Sequence, residues 1–150
     1  MPTSGKEPDV LVDTSAAVAL VVGDHQYHRQ TIESLAGRRL GLAGHAAFET
    51  FSVLTRLPPP ARRLPEVVAR LMATNFPASR FLSPKGASAL FARFAEGEIA
   101  GGSVYDALVA AAAVEHGFAL ATLDRRALDT YRVFGVDVEV LPVGRRSSGE

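Results

Sequence analysis

Apolar positions along the chain switch between short continuous runs and longer stretches with helical spacing. Asp9–Val12 is a brief β-branched run ending at Asp13, and Thr14 to Leu20 then reads as a helix with a hydroxyl or carboxylate cap. Gly23-Asp24 breaks it. From His25 to Ala36 a helical pattern resumes, with Tyr27, Ile32 and Leu35 on roughly one side, and Leu40–Ala43 follows as a candidate second strand. His45–Arg56 reads as a helix stopped by Leu57-Pro58-Pro59-Pro60, and Leu64–Asn75 as another stopped before Pro77. Arg80–Ser83 is a candidate third strand, and Pro84 opens a helix from Lys85 to about Glu98.

Ser103–Gly117 carries the clearest helical signal. Ser103 and Asp106 have capping-box spacing, Ala107–Val114 is almost wholly apolar, and Gly117 supplies a stop. A helix apolar nearly all round belongs in the centre of the molecule. Phe118–Thr122 then reads as a buried strand, Asp124–Tyr131 as a short helix and Val136–Leu141 as a last strand. Strands alternating with helices predict an α/β fold with a mostly parallel sheet covered on both faces. In such sheets ligands bind beyond the carboxyl ends of the strands, where strand order reverses.

Composition narrows the class. A chain of 150 residues fits one domain, and at that length roughly 68–70% of the unfolded surface is buried. Hydrophobic residues make up 47% and charged residues 21%, which excludes a disordered chain. The longest apolar runs, such as Ala16–Val22, are too short to cross a bilayer. The organisation expected is a loose tail over residues 1–8, a domain over 9–142 and a second loose tail over 143–150. Residues 1–8 do not read as a secretory signal, so the expected location is cytoplasmic.

There is no cysteine, which excludes disulfides, zinc–thiolate sites and thiol nucleophiles. Any metal must bind through oxygen or imidazole. Sixteen basic and sixteen acidic residues cancel, so net charge gives no argument for a polyanion partner. Fourteen of the basic residues are arginine, several in pairs such as Arg125–Arg126 and Arg145–Arg146. Arginine's planar fork suits phosphate, although a codon bias produces the same excess.

Four acids interrupt apolar or small-residue segments: Asp13, Glu49, Asp106 and Asp124. Each has a bland explanation. Asp13 and Asp124 are good helix caps, Asp106 fits a capping box, and Glu49 is a helix former able to face water. As a set, acids at the ends of elements point to a bound cation, and oxygen ligands favour Mg²⁺ or Mn²⁺. His25 and His28, three apart on one predicted helical face, are a rival metal pair without an obvious third ligand beyond Asp24. No GxxxxGK[ST], GxGxxG or GxSxG motif occurs, which argues against nucleotide hydrolases, dinucleotide enzymes and esterases of those folds.

Val10-Leu11-Val12-Asp13-Thr14-Ser15-Ala16, Glu49 in a mid-chain helix, Asp106-Ala107-Leu108-Val109-Ala110-Ala111-Ala112 and Ala121-Thr122-Leu123-Asp124-Arg125-Arg126 together resemble the PIN-domain family, in particular VapC-type toxins of bacterial toxin–antitoxin pairs. The resemblance implies a three-layer α/β/α sandwich and an endoribonuclease dependent on Mg²⁺ or Mn²⁺. It implies RNA as substrate, a small antitoxin that occupies the active-site groove, and a homodimer. By the family pattern Asp13, Asp106 and Asp124 are metal ligands, Glu49 acts on metal or water, and Thr14 and Thr122 orient the acids. Arg125 and Arg126 are the best candidates to grip RNA phosphates. Many relatives carry a further acid where this chain has Arg126, which puts a second metal ion in doubt. Replacement of Asp13 or Asp106 by asparagine is expected to leave the fold intact and abolish cleavage. The main competing reading is a non-catalytic interaction module that keeps the fold. A phosphorylated receiver domain ranks lower, since it needs a well-placed lysine and only Lys6 and Lys85 exist.

Overall fold

In the structure, a computed structural model, residues 7–143 are described. The two expected tails fall almost wholly outside the described residues, as do Lys6 and the Arg145–Arg146 pair. Four three-residue strands, β1 (Val10–Val12), β2 (Leu40–Leu42), β3 (Leu120–Thr122) and β4 (Val138–Val140), form one sheet in the order β2-β1-β3-β4. Every pairing is parallel, with Val12 opposite Leu42 and Ala121, and Thr122 opposite Val140. The first three strands are buried along their whole length, which is why they read as uninterrupted apolar runs rather than as alternation.

Seven α-helices cover this sheet: α1 (Thr14–Val21), α2 (His28–Leu35), α3 (Ala46–Thr55), α4 (Pro65–Asn75), α5 (Pro84–Phe94), α6 (Ser103–His116) and α7 (Leu128–Val133). Helix α1 packs against α2 and α3, and α3 against α4, while α6 packs against α5 and α7. These two groups are the outer layers of the expected three-layer sandwich. Helix α6 buries Ala107, Val109, Ala110, Ala112 and Ala113, and its small side chains let it approach closely. Gly117 ends it in the left-handed region, at φ 77°, where a Cβ would be strained.

The chain steps from β1 outward to β2, then returns across β1 to β3 and on to β4. Strand order therefore reverses between β1 and β3. Their carboxyl ends lead directly to Asp13 and, one residue beyond Thr122 and Leu123, to Asp124.

Several local expectations change. Arg80–Ser83 is not a strand: Arg80 makes a single parallel bridge with Ala43. The segment is extended enough for Ala78 and Arg80 to donate to the Leu40 and Leu42 carbonyls. It then turns away at Ser83, whose hydroxyl caps α5, with Pro84 fixing the first helical position. Phe118–Thr122 thus feeds the third strand, not a fourth. Helix α2 starts at His28, because residues before it form turns in which the His25 ring accepts from the Tyr27 N–H, so the two histidines do not share a helical face. Helix α5 ends at Phe94, short of Glu98. The stretch after Asp124 divides into a 3₁₀ turn, Arg125–Ala127, and α7, which runs to Val133.

Thr50 on α3 is fully buried, yet its hydroxyl has no hydrogen-bond partner. A lone buried hydroxyl is a net loss on folding. Thr50→Val keeps the shape and removes the unmet group, so urea unfolding should show a gain of about 1 kcal/mol. A loss of stability would mean that the hydroxyl is bonded in solution.

Candidate active site

Asp13 follows three buried apolar residues and is itself only 3% exposed. Its extended backbone makes it the N-cap of α1, with Oδ1 accepting from the Ala16 N–H at 3.1 Å. The cap accounts for one bond among four. Ser15 Oγ donates to Oδ1 at 2.6 Å, Tyr131 donates its phenolic O–H to Oδ2 at 2.7 Å, and Thr122 Oγ1 also donates to Oδ2. Burial pushes the Asp13 carboxyl above its ordinary range, while the bonds from Ser15, Thr122, Tyr131 and Ala16 pull it back.

The same hydroxyls tie β1 to β3. Thr122 Oγ1 accepts from the Asp124 N–H at 2.9 Å, and Ser15 Oγ accepts from the Leu123 N–H at 2.9 Å. Each uses its one proton on Asp13 and its lone pair on the backbone that leads to Asp124. Burial, followed by the charge of Asp13, holds the Tyr131 phenol far above its ordinary pKa, so it remains a donor.

Glu49 lies in the first turn of α3 and not in mid-helix, because that helix begins at Ala46. Thr14 Oγ1 donates to its Oε1 at 3.0 Å, which leaves Oε2 free, 4.0 Å from His45 Nε2. Thr14 is thus hydrogen-bonded to Glu49, and Thr122 to Asp13. Asp106 lies in the first turn of α6, but the capping box with Ser103 does not form: the N-cap position is Gly102 and no side chain caps the helix. Relieved of that task, the half-buried Asp106 carboxylate faces the other acids. Burial, and then the charges of Asp124, Asp13 and Glu49, push its pKa up to about 6, with Arg126 opposing them.

Asp124 caps the 3₁₀ turn by accepting from the Arg126 N–H at 3.0 Å. Its side chain is 33% exposed and lies 3.6 Å from the guanidinium of Arg126, which is 96% exposed. Arg125, between the two in sequence, is exposed.

All four acids line one cavity of about 270 Å³, with Thr14, Ser15, Val109 and Tyr131 completing its walls. Sequence reasoning missed Ser15 and Tyr131. Ser15 follows Thr14 directly and reads as part of the helix, whereas Tyr131 lies between Thr130 and Arg132 in a largely polar segment, and only its burial shows that its hydroxyl needs a partner. Among the described residues no three acid or imidazole side chains close tightly around a point. The all-oxygen donors and the mutual repulsion that raises Asp106 both fit a hard divalent ion. His25 and His28 lie outside this cavity; the His28 ring bonds to the Ala19 carbonyl.

A profile of the PIN domain matches residues 10–133. The chain is 48% identical over 134 residues to Ribonuclease VapC27 of Mycobacterium tuberculosis, covering 89% of this chain and 98% of that one. It is 41% identical over 133 residues to Ribonuclease VapC40 of the same species, covering 86% and 96%. Among solved structures it superposes on Mycobacterium tuberculosis VapC20, described as a toxin cleaving the sarcin–ricin loop, with a TM-score of 0.65 at 20% identity, covering 89% and 99% of the two chains. FitAcB from Neisseria gonorrhoeae gives a TM-score of 0.65 at 17% identity, covering 87% and 96%. At these identities the two structural likenesses speak for the fold.

Proposed function

Because the chain belongs to the PIN-domain family, in its VapC-type group, we propose that it is a metal-dependent endoribonuclease acting in the cytoplasm as the toxin of a toxin–antitoxin pair. The observation that carries this reading is the convergence of four carboxylates from four separate segments on one cavity, with Asp106 free of any capping role. Two relatives bearing the name ribonuclease, each matched over nearly its whole length, support RNA as the substrate.

Asp13, Asp106 and Asp124 would hold a Mg²⁺ or Mn²⁺ ion, Asp13 from the floor, where four donors already fix its oxygens. When bound, such an ion polarises water and offsets charge on a phosphoryl group. Glu49 is placed to do proton work. With Oε1 occupied by Thr14, its Oε2 takes a proton from the attacking water. The water oxygen bonds to phosphorus as the bond from phosphorus to the 3′-oxygen breaks in line with it, and the departing 3′-oxygen takes its proton from bulk water. The products are a 5′-phosphate and a 3′-hydroxyl.

Arg125 and Arg126 directly follow Asp124 and would hold RNA phosphates. Replacing both by alanine should weaken RNA binding and reduce the slope of log affinity against log salt by about 1.4, as for two phosphates on a single strand. An unchanged slope would remove them from the interface. A small antitoxin covering the cavity, and assembly into a homodimer and a toxin–antitoxin hetero-oligomer, complete the proposal. No helix of the described residues is long and apolar enough to cross a membrane.

Thermal unfolding with and without Mn²⁺, alongside RNA cleavage with and without chelator, tests the whole reading. Parent protein that cleaves only with the ion, and melts higher in its presence, supports it. No shift and no cleavage would favour the non-catalytic interaction module.

A further inference from the structure

A file of aromatic rings leaves the cavity along the outside of the molecule. Tyr105 stacks on His45 with ring centroids 5.1 Å apart and planes 22° from parallel. His45 lies 6.3 Å from Phe48, and Phe48 lies 6.0 Å from Phe81. Tyr105, Phe48 and Phe81 are 51%, 65% and 50% exposed, so these rings are not core residues. The file comes up to the cavity at His45, whose Nε2 stands 4.0 Å from Glu49 Oε2.

Sheet order places the rings relative to the other groups. The parallel strands end in the order β2-β1-β3, and the chain after them carries His45 and Phe48, then Asp13, then Asp124 with Arg125 and Arg126. Rings therefore lie on one flank of the acids and guanidinium groups on the other. A polynucleotide crossing the acids meets cations on the β3 side, where its phosphates are held. On the β2 side the guanidinium of Arg80, beside Phe81, is taken up by the Ala78 and Ser79 carbonyls, and what the file offers is flat π-surface. Stacking of bases needs no countercharge, so it can hold nucleotides beside acids that repel phosphate. A double helix hides base faces, so such a surface selects unpaired nucleotides.

We propose that Tyr105, His45, Phe48 and Phe81 form a stacking platform for unpaired bases on the β2 side of the cleavage site. The proposal rests on the ribonuclease reading and adds to it which rings hold the bases, and on which side of the scissile phosphate. A protein partner or a second copy of this chain would cover apolar rings equally well. The approach of His45 to Glu49, and the imidazole within the file, favour bases.

The test uses the full chain in chelator at low salt with an unpaired ten-nucleotide RNA containing 2-aminopurine. Stacking should quench the fluorophore, while a hairpin with the fluorophore paired should show no such change. Phe48→Leu/Tyr105→Leu, and separately Phe81→Leu, keep apolar bulk but remove the π-face, and each ring lost should weaken binding about tenfold. Equal affinity of folded parent and variants would overturn the platform. So would a drop in sedimentation coefficient with RNA affinity unchanged, which would make the rings a protein interface. Cleavage with Mn²⁺ is scored in parallel. A parent that cleaves but shows no quenching sinks the platform alone, whereas a parent that does not cleave sinks the ribonuclease reading beneath it.

Discussion

Asp106→Asn is expected to lower RNA cleavage by at least about a hundredfold while leaving a protein that, without metal, is more stable than the parent at pH 7.5. The two effects have one cause. Folding brings the Asp106 carboxyl into a half-buried place beside Asp124, Asp13 and Glu49 and raises its pKa from 3.8 to about 6. Between those values the folded chain holds a proton that the unfolded chain has released, so stability falls as pH rises through that window and stays lower above it. Asparagine carries no such penalty. Because Asp106 is half exposed, solvent screening limits the gain to about 1 kcal/mol at pH 7.5, and it should vanish below about pH 4. Manganese should reverse the order, stabilising the parent and leaving the variant nearly unmoved. Chemical denaturation at pH 4 and 7.5, in chelator and in Mn²⁺, reads all of this. Undiminished cleavage by the variant would remove Asp106 from the chemistry.

The structure separates Asp13 from Asp106, which the sequence treats alike. Asp13 accepts four hydrogen bonds in a place 3% exposed, and an amide there turns an acceptor into a donor facing other donors. Asp13→Asn should therefore lose about 2 kcal/mol of stability along with activity. Asp106→Asn is the cleaner test of mechanism.

A second large effect is expected far from any acid. Gly41→Ala in β2 would place a Cβ 2.0 Å from the Ala78 carbonyl oxygen and 2.7 Å from the Ser79 nitrogen. Both are backbone atoms of the segment that bonds to β2 through Ala78 N–H to Leu40, Arg80 N–H to Leu42, and Leu42 N–H to Ser79 Oγ. That segment must move off the sheet, at a loss of about 3 kcal/mol or more. Gly23→Ala, with nothing within 4 Å of its added carbon, is the control and should stay within about 0.5 kcal/mol. Equal melting of the two variants would show that the close approach at Gly41 relaxes freely.

Much of this was legible in the chain. Three strands buried along their whole length produce unbroken apolar runs, and α6, which inserts small residues against the sheet, produces the Ala107–Val114 pattern. The four acids stood out because each interrupts such a run. Less legible were boundaries set by contacts distant in sequence. Arg80 reads as a strand residue and is extended, yet it completes only one bridge, because Ser83 and Pro84 start a helix before more can form. Asp106 reads as the end of a capping box, but the helix begins one residue too early for Ser103 to cap it, with Gly102 in the cap position.

The sequence by itself determined the alternation of strands and helices, the family and the identity of the four acids, since hydrophobic period and residue type are local properties. Only the tertiary structure decided which donors surround each acid. Ser15, Thr122 and Tyr131 converge on Asp13 from three separate elements, while Thr14 reaches Glu49 across 35 residues. Whether a carboxylate is occupied as an acceptor or left free depends on which donors the fold brings within 3 Å, and those donors are assembled by the reversal of strand order between β1 and β3.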